Sequence, residues 1–85
     1  MSASRLILAL CALLGAAGVG LMAAGAHVGG PNATTAGQIL LFHASAGMAA
    51  TLARKAGFLA PGLARIAVAL LLAGAAIFAA DLALL

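Results

Sequence analysis

The sequence predicts an all-α integral membrane protein. Three transmembrane helices would form an antiparallel up-down-up bundle, packed through alanine and glycine faces. Three observations carry this. The 85 residues have a mean hydropathy of +1.32 and are 67% hydrophobic. Only Arg5, Arg54, Lys55, Arg65 and Asp81 are charged, 6% of the chain, where soluble domains carry about 25%. Too few charges are present to cover a small water-soluble fold, and far too much apolar surface for a disordered chain. Finally, no Asp, Glu, Lys or Arg occurs over the 48 residues from Leu6 to Ala53.

A single domain, residues 1–85, is all this length allows. Gly29-Gly30-Pro31-Asn32 interrupts the uncharged run with two glycines and a proline, a strong turn signal. It leaves 23 apolar-rich residues on one side (6–28) and 21 on the other (33–53). Crossing the hydrocarbon core takes about 20 residues, so each side spans once. The first helix is placed at about 4–27. A cleaved signal peptide is the alternative there, with Ala23-Ala24-Gly25-Ala26 as a small-residue site. The 23-residue run exceeds the roughly 7–15 of a signal core, so a retained helix is expected. The second helix is placed at about 34–54. A second break runs from Arg54-Lys55-Ala56-Gly57 to Pro61-Gly62, and the third helix follows at about 62–85. Its apolar end, Leu82-Ala-Leu-Leu85, lacks an interfacial anchor. That implies either a bare carboxylate at the interface or a further segment.

The basic residues set the orientation. Arg5 precedes helix 1, and Arg54, Lys55 and Arg65 lie in the second connection, while residues 27–34 hold no Lys or Arg. The positive-inside rule then places the N-terminus and the 54–65 loop in the cytoplasm of a bacterial inner membrane. Four basic groups at segment ends are too few for a nucleic-acid surface.

Alanine, leucine and glycine make up 54 of the 85 residues. Lipid provides no hydrophobic force between helices, so close approach across small residues must supply the attraction. Candidate packing positions are Ala12, Ala16, Gly20 and Ala24 on helix 1, with Gly15 and Gly18 nearby. Helix 2 offers Ala36, Gly47 and Ala50, and helix 3 Ala67 and Gly74. These faces pack on one another, or dock a larger partner, or both.

Polar groups are few. His43 lies about 14 Å into helix 2, where a polar group needs a partner and is a functional candidate. Three roles compete. It could bond a carbonyl or hydroxyl of a neighbouring helix. It could ligate haem iron or the magnesium of a chlorophyll or bacteriochlorophyll, with Ala44, Ala46 and Gly47 leaving room for a flat macrocycle. It could relay protons or bind an ion. His27 and Asp81, both at the outer interface, are a candidate polar pair. With one acid, paired carboxylates are impossible. His43 and Ser45, two apart, do not face each other on a helix. Cys11 stands alone, and no CxxC, HExxH or P-loop is present. No enzyme is expected.

Three stretches carry a family likeness. Gly20-Leu-Met-Ala-Ala-Gly-Ala-His27 resembles a GAxGAH ending of helix 1, and Phe42-His43-Ala44 resembles a YHA motif in helix 2. Leu72 to Leu84, with Phe78 and Asp81-Leu82, resembles a third helix of the same family. Together they resemble the small bacterial membrane proteins of domain of unknown function 423. His27 and His43 fall on that family's two histidines. Its members have four helices, so the resemblance implies a shortened relative or a fourth helix outside this chain. It implies a fold and no chemistry.

The expected function is that of an accessory subunit in the bilayer, packing against other membrane-protein subunits or copies of itself. A cofactor-binding module built on His43 is the alternative. A homo-oligomeric transporter, with Gln38, His43, Ser45 and Thr51 along its path, is a weaker one.

Overall fold

A computed structural model describes residues 2–85. Helix α1 runs Ala3–Ala24 and continues into a π-helical turn, Gly25–Gly29. Helix α2 is Gly30–Lys55 and α3 is Pro61–Leu84. All three are long and apolar enough to cross a membrane. At 1.5 Å per residue they measure about 33, 39 and 36 Å, against a hydrocarbon core of about 30 Å. The molecule is 43 Å long and 21 by 16 Å across, one bilayer in its long dimension. The three-helix all-α architecture is the one the composition predicts.

Each terminus and connection has a local cause. The Ser2 hydroxyl accepts a hydrogen bond from the Arg5 N–H at 3.2 Å and caps α1. Between α1 and α2 the expected four-residue break contracts to a reversal at Gly30, with φ 71° and ψ −164°. That backbone region belongs almost only to glycine. Pro31 and Asn32 fall inside the first turn of α2, where a proline has no intrahelical bond to lose. Gly25 lets the hairpin close. A Cβ there would stand 2.7 Å from the Thr34 nitrogen.

The second connection begins with a Schellman cap. The Gly57 N–H bonds the Arg54 carbonyl at 3.0 Å, and the Phe58 N–H bonds the Ala53 carbonyl at 2.9 Å. Gly57 takes the positive φ of 89° that this motif requires. Pro61 then opens α3 with φ already fixed for a helix.

Helix α2 is central. It packs on α1 and on α3, whose backbones approach each other at few positions. One core cluster joins Cys11, Ala44, Val68 and Leu72; a second joins Ala36, Leu40 and Ala79, and Leu14 borders both. Helices α1 and α2 come closest at two glycines. A Cβ on Gly37 would lie 2.6 Å from the Gly18 oxygen and 2.9 Å from the Met22 nitrogen. A Cβ on Gly18 would lie 2.8 Å from the Gly37 oxygen. Backbone touches backbone there.

Several expected packing positions need correction within the chain. Ala12, Ala16 and Gly20 are exposed, and nothing stands within 4 Å of where a Gly20 Cβ would project. Ala67 and Gly74 are exposed too, and the space beyond Gly74 is open. The α3 face that packs inward carries Ala64, Val68, Leu72, Ala75 and Ala79 instead. Ala24 and Ala50 are half-buried. Ala36 and Gly47 are buried, and Gly47 makes room for the Cys11 thiol: a Cβ there would sit 2.9 Å from Sγ.

On α1 the reason is periodicity. A four-residue repeat turns 40° at each step on a helix of 3.6 residues per turn, so Ala12, Ala16, Gly20 and Ala24 wind around α1. A seven-residue repeat drifts only about 20°. The stripe that meets α2 is Cys11, Gly18 and Gly25, and it faces Thr34, Gly37, Ala44 and Gly47.

Candidate functional site

The polar side chains of α2 mostly turn back on their own helix. His43 Nδ1 lies 2.7 Å from the Ile39 carbonyl oxygen. A carbonyl can only accept, so Nδ1 carries the proton and, in the neutral ring, Nε2 keeps a free lone pair. The Ser45 hydroxyl donates to the Leu41 carbonyl at 2.8 Å, and the Thr51 hydroxyl to that of Gly47 at 2.8 Å. Thr34 does the same toward Gly30 at 3.3 Å. Each bond spans four residues and satisfies the donor without help from another helix. The expectation that His43 bonds a neighbouring helix is therefore corrected: its partner is Ile39, one turn earlier. The ring is half-buried at the edge of the α2 packing face, beside the buried Ala36 and Gly47 stripe.

One side-chain hydrogen bond among the described residues joins two helices. The Arg54 guanidinium, at the end of α2, donates to the buried Ser4 hydroxyl at the start of α1. The antiparallel topology brings those ends together, so the guanidinium ties the basic end of the bundle shut. This pair was invisible in the sequence, where the two residues stand 50 apart.

His27 and Asp81 do not form the expected pair. His27 is exposed on the π-helical turn and Asp81 is exposed on α3, and no ion pair joins them among the described residues. The backbones of α1 and α3 approach each other at few positions, and these two exposed side chains do not meet. No three of His, Cys, Asp and Glu converge among the described residues. The polar atoms thus form separate local bonds rather than a shared site.

Gln38 is an exception, as are the exposed Asn32 and Thr35 nearer the start of α2. The Gln38 amide is exposed, eight residues beyond Gly30, and has no hydrogen-bond partner among the described residues.

The arrangement defines a multi-pass, three-helix protein with membrane-length apolar helices and no assembled polar centre among its described residues. No family model, no curated protein and no solved structure matches the chain.

Proposed function

We propose that this chain is a non-catalytic accessory subunit of the bacterial inner membrane, lying against a larger membrane-protein complex. The observation that carries the reading is the outer face of α1. Ala12, Ala16 and Gly20 are exposed there, and open space lies over Gly20. Smooth backbone of this kind is what close helix packing uses in lipid. The local, self-satisfied bonds of His43, Ser45 and Thr51 support a packing role over chemistry. The gathering of Arg5, Arg54, Lys55 and Arg65 at one end supports a cytoplasmic N-terminus and 54–65 loop. The likeness to domain of unknown function 423 agrees with a small bacterial membrane protein. Purification of the tagged chain in mild detergent tests the proposal. A membrane protein should accompany it in fixed ratio and be lost with Gly20→Leu. A chain that always runs alone contradicts the reading.

A second reading has one observation in its favour. The Nδ1–H bond to Ile39 fixes the tautomer whose Nε2 can donate to a metal, the arrangement in which metal-ligating histidines are commonly held. On that reading His43 ligates a haem or bacteriochlorophyll. A visible absorption band in the purified protein, abolished by His43→Gln, is the required result.

A further inference from the structure

We infer that two copies of this chain pair through the outward face of α2, with the two Gln38 amides hydrogen-bonded to each other inside the bilayer. The inference stands apart from the docking of α1 and requires that α2 spans and that all copies insert with one orientation.

Helix α2 is the least apolar of the three spans. Packing against α1 and α3 occupies one side of it. The opposite side presents Thr35, Gln38, Phe42, Ser45, Ala49 and Leu52, all exposed. Phe42 is 69% exposed and Leu52 56%. These positions alternate by three and four residues, the spacing of a seam between two helices that wind around each other. The seam carries no charge.

Gln38 decides what covers it. It sits about 12 Å along a helix of about 39 Å. Centring a core of about 30 Å on that helix puts the amide roughly 7 Å inside the hydrocarbon edge. The Ser45 hydroxyl on the same seam is satisfied by Leu41. The Gln38 amide has no such bond among the described residues, nor has the Thr35 hydroxyl one turn nearer the helix start, and lipid tails offer neither donor nor acceptor. A protein partner is therefore favoured.

Topology points to a second copy. All copies insert with one orientation, so a two-fold axis relating them runs along the membrane normal. Helix α2 then pairs parallel with α2, and each seam residue meets its own counterpart in an isologous contact. A residue that meets itself must be self-complementary. A carboxylate or an ammonium would repel its twin, whereas a carboxamide holds both an N–H donor and a C=O acceptor. Two Gln38 side chains can exchange two hydrogen bonds across the axis. A single polar position in an otherwise apolar seam also fixes the register of the pair.

The test uses the purified full chain, labelled with donor or acceptor dyes, in phosphatidylcholine–phosphatidylglycerol vesicles at a series of lipid dilutions. Energy transfer should report a reversible dimer. Gln38→Leu should weaken it about ten-fold, and Gln38→Asn should keep most of it. In a Cys11→Ala background, Phe42→Cys should cross-link to itself, while Ala12→Cys and Gly74→Cys should not. Monomers at every dilution would overturn the inference. So would unchanged association of Gln38→Leu, or cross-linking at position 12 or 74 in place of 42.

Discussion

Gly37 and Gly20 look alike in sequence, each a glycine in the middle of an apolar helix, and they do opposite things. At Gly37 an added Cβ meets backbone atoms of Gly18 and Met22. Backbone cannot swing aside as a side chain can, so the helices must separate. Gly37→Ala should cost about 1–3 kcal/mol, the usual range for overpacking. Gly20→Ala should leave the isolated chain unchanged. Thermal unfolding in detergent measures both, and equal losses would show that the contact face is misassigned. His43 gives a second contrast. Its partner, the Ile39 carbonyl, stands within the helical ladder whether or not the imidazole is there. His43→Leu therefore strands no buried group and should change stability by less than about 1 kcal/mol. A partner on another helix would predict a loss of roughly 1–3 kcal/mol. Sequence alone left this open, because a histidine that bonds back one turn and one that reaches across a bundle share the same spacing.

At the scale of elements, spans and breaks were legible because each has a local cause. Uncharged runs set the lengths, and Gly30, Gly57 and Pro61 set the boundaries. The two connecting glycines differ in kind. Gly57 adopts the left-handed geometry of a helix cap, whereas Gly30 combines φ 71° with ψ −164°. Gly57→Ala should cost about 1 kcal/mol. Gly30→Ala should cost more, up to about 3 kcal/mol. The order of the two midpoints in denaturant checks this; a more damaging Gly57→Ala would mean that the hairpin reverses elsewhere. Helix faces were not legible. Alanine and glycine surround every helix here, so no contrast between an apolar and a polar side marks the inward direction. On α3 the inward stripe is Ala64, Val68, Leu72, Ala75 and Ala79, whereas Ala67 and Gly74 point outward among Leu63, Ile66, Leu70 and Ile77, so small residues lie on both faces and do not mark the inward one. Leucines are free to point inward because lipid and protein interior reward them almost equally.

For the whole molecule, topology follows from three spans and two short connections. It brings Ser4 to Arg54 and gathers all four basic residues at one end. It also leaves Asp81 and His27 apart at the other. Charge placement made the gathering of the basic residues at one end readable before any coordinate, because a basic group crosses a membrane reluctantly wherever it sits in the sequence. The separation of His27 and Asp81 was not readable, and the two were expected to pair. The central proposal is that this chain crosses three times, with the 54–65 loop inside and the 27–34 turn outside. Labelling of intact cells with a membrane-impermeant thiol reagent, using Asn32→Cys and Ala56→Cys in a Cys11→Ala background, tests it most directly. The account predicts that position 32 labels from outside and that position 56 labels only after the membrane is opened. Labelling of position 56 in intact cells would contradict it.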